Sequence, residues 1–317
     1  MLASIFSLNV LQTALELGCI YGLVALALFL SYSILNIADL STDGCFTLGC
    51  AVGAMLTIAG HPLLALPAAM AAGMLSGFIT AFLQTPLGVE SILAGIISNT
   101  GLYTINLAVM GFSSNVSITG RDTVFSLFKA LTGGSQWSTL VLLALLLGVI
   151  AVVLIRFFGT SLGLSIRATG DSLDMVSASS INPKATITIG LCLANALTAL
   201  AGCLIGEYNK FCDINLGTGM VTIALASLII GEVFAGRRGG IGKRVVCVVL
   251  GSIVYRLIIA LALRLNISAE YFKLVSAVIV AVAIAAPNMK DYVHLAKIRS
   301  NARKLRALSG KGDETDA

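Results

Sequence analysis

The longest apolar runs set the limits on what this chain can fold into. Several of them reach about 18 residues or more, the length that a helix needs to cross roughly 30 Å of hydrocarbon. Hydrocarbon offers no hydrogen bonds to the backbone, so only a segment that satisfies its own N–H and C=O groups is stable there. The runs therefore predict an all-α fold, a polytopic transmembrane helical bundle with about eight or nine spans.

The composition supports a lipid environment. Of 317 residues, 57% are hydrophobic and only 11% are charged, which is too little charge to cover a soluble protein of this length. Basic residues are not interleaved with aromatic ones on a polar face, so no nucleic-acid partner is expected. The seven cysteines lack metal-binding spacing and are predicted to be apolar packing residues, with no metal or cofactor.

Nine segments are predicted to span the bilayer: 10–34, 45–59, 63–83, 92–111, 139–157, 185–205, 220–234, 245–263 and 274–286. They make residues 1–289 the predicted membrane domain. Residues 290–317 form a predicted basic tail.

Charges between the spans predict the orientation. One loop is flanked by Arg156, Arg167 and Lys184, a second holds four basic residues within 236–244, and the tail is also basic. Alternation of the spans places all three clusters on one side, which the positive-inside rule makes cytoplasmic. The loops 113–136 and 207–219 are then expected to face outward.

A polar island interrupts the apolar sequence early in the chain. It contains Asp39, Ser41, Thr42, Asp43 and Gly44. Polar groups at membrane depth are costly unless they lie in a loop or line a polar cavity, and broken helices near the midplane often bind transported solutes. The island therefore predicts a broken early helix beside a translocation path. The alternative is a cytoplasmic turn in which Asp43 caps the following helix.

Two further polar residues lie within predicted spans. Glu16 and Asn99 are candidates for the same path, because ionisable and amide side chains in a span usually face the bundle interior. Glu16 is equally compatible with the outer interface, since it lies close to the N-terminus.

The loop 159–184 mixes polar residues with regularly spaced apolar ones. Residues 172–180 are predicted to form a short amphipathic helix that ends before Asn182 and Pro183. A short helix with an apolar face suits a groove on a partner protein. The alternative is a loop helix that rests on the membrane surface.

The chain shows no sequence motif for catalysis. Residues 236–244 (GRRGGIGKR) have a superficial likeness to a Walker A motif, but the spacing fails and no Ser or Thr follows Lys243. The chain is therefore predicted not to be an enzyme. Uphill transport would then draw its energy from an ion gradient or from a separate ATPase.

Four segments resemble the permease subunits of ABC importers in the branched-chain amino acid and ribose group. They are GLVALA at 22–27, IADLSTDG at 37–44, GLSIRA at 163–168 and INPK at 181–184. The likeness covers nearly the whole chain, and 39–44 is most similar to a branch associated with aromatic amino acid uptake. Cys45, directly after Gly44, and the high cysteine content depart from the pattern.

The resemblance implies a permease subunit in the inner membrane of a bacterial cell, with a cytoplasmic C-terminus. Two permeases would pair as a homodimer around the path, a separate ATPase dimer would bind ATP, and an extracytoplasmic binding protein would deliver the solute. The path would be lined by 39–44. The residues expected to couple to the ATPase are Arg167, Asp171, Leu173, Asp174, Met175 and Ile181.

A different class of transporter remains open from the sequence. An ion-coupled secondary transporter would act without an ATPase and would use Glu16 or Asp39 as its ion-linked carboxylate.

Overall fold

The computed structural model describes residues 8–236 and 239–264, together with 274, 277, 278 and 281. Within these residues the chain forms eleven α-helices, and the first helix continues as a π-helix, Phe29–Ile34. The α-helices are α1 (Leu8–Leu28), α2 (Thr42–Ile58), α3 (Pro62–Gln84), α4 (Ser91–Val109), α5 (Val124–Leu131), α6 (Ser138–Phe158), α7 (Ser161–Asp171), α8 (Leu173–Ala178), α9 (Pro183–Asn209), α10 (Met220–Ala235) and α11 (Ile241–Arg264).

Six of these helices are long and apolar enough to cross a bilayer, namely α1 with its π-helical extension, α3, α4, α6, α9 and α11. Two shorter apolar helices, α2 with 17 residues and α10 with 16, match the remaining predicted spans up to residue 263. The predicted polytopic helical bundle is confirmed. The ninth predicted span, 274–286, lies outside the described residues except at four positions, and the predicted tail lies wholly outside them.

The two ends of the bundle differ in character. At one end, β1 (Asn115–Ser117) pairs antiparallel with β2 (Phe211–Asp213), which directly follows α9. We call this the strand end. The other end, where α6 meets α7 and α10 meets α11, carries Arg156, Arg167, Lys184, Lys243 and Arg244 and is called the basic end.

Helix α9 lies at the centre of the bundle. Its second half is buried on all sides, as expected for a helix that is surrounded by other helices. It packs closely on α2, because a Cβ on Gly49 would overlap the Ala199 carbonyl and one on Gly202 would overlap the Phe46 carbonyl. Small residues allow this backbone approach, which is a common way for membrane helices to associate.

The predicted break after the first span is present. The π-helix ends at Ile34, and Asn36 has a φ of 56°, a left-handed conformation that Asn tolerates better than most residues. The following residues are non-helical until Thr42. Leu35 lies against Gly190, and Asp39 reaches Asn195 farther along α9, so the segment climbs from the basic end into the bundle.

Candidate functional site

Two short helices begin next to each other inside the bundle. Asp43, in the first turn of α2, accepts hydrogen bonds from the backbone N–H groups of Gly219 and Val221, each at 2.9 Å. These groups belong to the N-terminus of α10, whose unpaired N–H groups and positive helix dipole favour a carboxylate. Asp43 therefore caps α10. The alternative interpretation, in which Asp43 caps the helix that follows it in sequence, is wrong. Asp43 lies within the first turn of that helix, α2, and caps α10 instead.

The break lies near the middle of the bundle. Asp39 accepts a hydrogen bond from the Asn195 amide at 2.8 Å, and its other oxygen accepts from the Ser41 backbone and hydroxyl at 2.8 and 2.6 Å. Asn195 is about 18 Å along α9 at 1.5 Å per residue, and the whole helix is about 40 Å long. The polar island is therefore at mid-depth, and Asp39 fixes it to the central helix.

A loop from the strand end also reaches this depth. The Gly217 N–H donates to the Thr47 hydroxyl at 3.1 Å, and Gly219 begins α10 with a φ of 88°, which glycine adopts without strain. The prediction of an outward loop over 207–219 is therefore wrong for its last residues, which return into the bundle. It is also wrong for Glu207, which is part of α9.

Helix α4 completes the surroundings of the break. Asn106 donates to the Gly44 carbonyl at 3.0 Å, and a Cβ on Gly44 would lie 2.6 Å from the Asn99 side-chain oxygen. The Asn99 and Leu102 side chains therefore lie directly against Gly44, and a larger residue at this position would have to displace them. The structure thus brings together six of the predicted path residues, which we call the mid-depth cluster: Asp39, Ser41, Thr42, Asp43, Gly44 and Asn99.

Glu16 does not belong to the mid-depth cluster. It is 5% exposed and accepts hydrogen bonds from Gln12 and from the Tyr208 hydroxyl, both at 2.9 Å. Because Tyr208 lies in the last turn of α9, this contact is near the strand end. Glu16 is thus buried in the bundle near the strand end, away from the mid-depth cluster.

A second buried carboxylate lies in the same region and was missed by the sequence analysis. Glu207 accepts from the Thr57 hydroxyl at 3.1 Å and from the Val124 N–H, the first of α5, at 2.8 Å. It joins α2, α5 and α9. The sequence predicts a loop at Glu207, because the apolar run of this span ends at Ile205.

Arg244 joins three elements at the basic end. Its guanidinium pairs with Glu232 at 2.8 Å and donates to the Ser33 hydroxyl at 2.6 Å, while Ser33 also hydrogen-bonds to Glu232. It also lies over the Phe29 ring, 5.1 Å from the centroid. The π-helix, α10 and α11 are thereby connected. Local sequence indicates only a loop charge at Arg244, because Ser33 and Phe29 are more than 200 residues away along the chain.

The predicted coupling residues lie at the basic end. Arg167 and Asp171 are exposed on α7, Leu173, Asp174 and Met175 are exposed on α8, and Ile181 is half-buried. The short helix predicted over 172–180 is confirmed as α8. The preceding residues form a separate helix, α7, that was not predicted.

The opposite face of α7 packs on the bundle. Ile166 is fully buried, the Thr169 and Thr186 hydroxyls are 2.8 Å apart, and a Cβ on Gly170 would overlap the Ile34 carbonyl. Helix α7 therefore contacts the last residue of the π-helix, directly before the break. This contact connects the coupling residues to the mid-depth cluster through about five residues of backbone at roughly 3.3 Å each.

Two relatives match the chain over most of its length. It is 30% identical over 293 residues to the "Tyrosine transport system permease protein" of Clostridioides difficile (strain R20291), covering 92% of this chain and 95% of that protein. It is 31% identical over 287 residues to an uncharacterized protein of Rickettsia prowazekii (strain Madrid E), covering 90% and 100%. No solved structure matches the chain significantly.

The family model described as "Branched-chain amino acid transport system / permease component" matches residues 10–284. This range contains the interrupted first span, the central helix α9 and the half-length helix α10. The chain is a member of this family of transport-system permeases.

Proposed function

We propose that this chain is the permease subunit of an ABC importer and provides the path by which an amino acid crosses the membrane. The observation that carries the proposal is the meeting of α2 and α10 at mid-depth in a chain that belongs to a permease family. Interrupted helices place helix ends and free backbone groups where a solute passes. The solute class we infer is an aromatic amino acid, since one relative is named a tyrosine transport permease.

The mid-depth cluster lines the path in this proposal. Asp39 and Asp43 have their oxygens engaged by Asn195, Ser41 and the α10 backbone, so their role is to hold the broken segment open. Half-exposed Asn99, beside Gly44, is the polar side chain of the cluster that is free to meet a solute. Two copies of the chain pair around this path as a homodimer.

The partners bind at opposite ends. An ATPase dimer docks on α7 and α8 at the basic end, which the positive-inside rule makes cytoplasmic in the inner membrane of a bacterial cell. The same rule places the C-terminus on that side. A substrate-binding protein delivers the solute at the strand end. ATP is bound by the partner subunit, so the permease needs no cofactor of its own.

The contact of α7 with the end of the π-helix gives the ATPase a mechanical route to the path. A displacement of α7 changes the packing of Gly170 against Ile34 and moves the chain that leads to Asp39. ATP then acts at a distance, because the two states of the membrane helices make different contacts with the ATPase. The Arg244 cluster joins the π-helix to α10 and α11 and would transmit the movement to them.

Purification and transport test the function together. We expect an ATP-binding subunit to copurify with the tagged chain, and proteoliposomes of the complex with its binding protein to accumulate L-tyrosine only with hydrolysable ATP. A non-hydrolysable ATP analogue is the control for hydrolysis. Accumulation by the chain alone, driven by an imposed ion gradient, would overturn the proposal in favour of an ion-coupled secondary transporter.

A further inference from the structure

Arg256 is a cation inside the bundle that takes no part in the mid-depth cluster or in the Arg244 contacts. Arg256 lies about 22 Å along α11 at 1.5 Å per residue, well within a membrane-crossing helix. Its guanidinium carbon is 3.5 Å from the centre of the Tyr21 ring, and Tyr21 in turn stacks on Phe46 with 6.3 Å between ring centroids. Phe46 is in the second turn of α2, so the stack adjoins the mid-depth cluster.

Arg256 has no acidic partner among the residues that the structure describes. The buried Nε makes no hydrogen bond, and the ion pair found in this part of the chain is Arg244 with Glu232. The carboxylates nearest in sequence to Tyr21 and Phe46 are already engaged, Glu16 by Gln12 and Tyr208 and Asp43 by α10. Placing a cation at membrane depth costs free energy unless an anion or water is close to it. A bound anionic ligand would remove this cost for Arg256.

The part of α11 that carries Arg256 packs closely on α1. Gly18 and Gly22 of α1 pack against Ile253 and Ser252 of α11, and the Ser252 hydroxyl donates to the Gly18 carbonyl at 2.9 Å. Tyr21 covers one face of the guanidinium, which leaves the N–H groups in its plane available. Since the side chain is half-exposed and only its Nε is buried without a partner, the donors that a small molecule can reach are those of the two terminal nitrogens.

The geometry points to Arg256 as the residue that binds the carboxylate of the transported amino acid. This inference rests on the proposed import function and adds a subsite to it. A guanidinium binds a carboxylate through two parallel hydrogen bonds, a geometry that a lysine does not reproduce. Tyr21 positions the guanidinium by cation–π attraction, and the ligand class is a free α-amino acid with an ionised carboxylate.

The depth of Arg256 favours a solute over a lipid headgroup. Headgroup phosphates lie at the surface of a hydrocarbon core about 30 Å thick. Arg256 is near the level at which α2 and α10 begin, one helix turn beyond the Ser252 contact with α1. A phosphate at the surface would reach this depth only by deforming the bilayer.

Chemical labelling tests the subsite in the unmodified protein. The full complex in nanodiscs of zwitterionic lipid is treated with phenylglyoxal, which modifies accessible guanidinium groups, and modification of Arg256 is measured by peptide mass spectrometry. We expect L-tyrosine to protect Arg256 and tyramine, which lacks the carboxylate, not to protect it. Exposed Arg156, in the last turn of α6, should be modified equally in all samples.

Substitution tests the same subsite by transport. We expect Arg256→Met to lower ATP-driven tyrosine uptake by about tenfold or more, because a buried charge pair loses one partner. Arg256→Lys should retain an intermediate rate. The matched control Arg156→Met should transport like the wild type, and the labelling result decides the question if Arg256→Met does not fold.

The outcomes separate this inference from the proposed function. Wild-type complex that fails to take up tyrosine counts against the function itself. Wild-type uptake together with equal protection by tyramine, or with full uptake by Arg256→Met, overturns only the carboxylate subsite. A parallel sample in nanodiscs of anionic lipid, in which Arg256 is protected without any amino acid, would assign Arg256 to a lipid phosphate and would also overturn it.

Discussion

At the scale of single residues, Asp43 shows how one side chain can join two helices that are distant in sequence. Its two oxygens accept the Gly219 and Val221 N–H groups, which no residue within α10 can satisfy. The carboxylate also faces the positive end of the α10 dipole. Loss of this side chain therefore affects the start of α10 more than α2, the helix that contains it.

We expect Asp43→Ala to lower both the stability of the protein and its transport rate. Each stranded N–H group costs about 1–3 kcal/mol when no water replaces the lost acceptor. Asp43→Asn should be intermediate, because its amide oxygen can accept one of the two bonds. The measurements are the melting temperature of the purified permease and tyrosine uptake.

Exposed Asp171 provides the control for removal of an acidic residue. Asp171→Ala should melt at the wild-type temperature. If Asp43→Ala also melted there, the cap would not contribute to stability, and an effect limited to uptake would then assign Asp43 to the path alone.

At the scale of elements, the position of α2 depends on how closely it approaches α9. Gly49 and Gly202 lie where each helix meets a backbone carbonyl of the other. Gly53 makes a similar approach, since a Cβ there would be 2.5 Å from the Cys203 sulfur. The close packing of this face holds α2 against α9. The polar break directly before α2 is thereby kept at the level of Asn195, where Asp39 makes its hydrogen bond.

We expect Gly202→Val to prevent assembly of the native bundle. The added side chain would collide with the Phe46 carbonyl, and backbone atoms cannot move aside as a flexible side chain can. The yield of monodisperse protein in size-exclusion chromatography measures this effect. A wild-type yield for this variant would contradict the observed packing.

Gly148, in the middle of α6, is the matched control. A Cβ at this position meets no atom within 4 Å, so Gly148→Val should be produced at the wild-type level. The comparison separates the effect of the collision from the general effect of replacing a helical glycine by a β-branched residue.

At the scale of the whole molecule, the two ends of the bundle are chemically distinct. The basic end displays exposed apolar and charged side chains on α7 and α8, including Met175 at 72% exposure and Leu173 at 53%. The strand end is closed by β1, β2 and α5, with buried Glu207 between them. Exposed apolar side chains on a polar surface are typical of a protein-binding site.

We expect about tenfold less ATPase to copurify with the double variant Arg167→Glu and Met175→Glu. The first change reverses a surface charge, and the second replaces an apolar anchor residue by a charged one. Both side chains are exposed, so the bundle itself should remain folded. Lys210→Glu, a charge reversal at the strand end, should leave ATPase recovery unchanged. Equal recovery with the double variant would count against docking on α7 and α8.

Several features of the fold could be predicted from local sequence. Apolar length identified the helices of the bundle, and the polar residues 36–44 identified the break, because the cost of polar groups in hydrocarbon depends on each segment by itself. The pair Asn182 and Pro183 predicted the end of the short helix α8, and in the structure the same pair also begins α9. Asn182 accepts the N–H groups of Lys184 and Ala185, which is a contact within one turn.

The partners of the polar residues were decided only by the tertiary structure. Asp43 binds residues more than 170 positions away, Glu16 binds Tyr208, and Arg256 stacks on Tyr21. The return of 214–219 into the bundle also left no local signal, since its polar residues suit an outer loop equally well. Such contacts depend on which helices pack side by side, and helices that are apolar on most faces leave many packings equally compatible with the sequence.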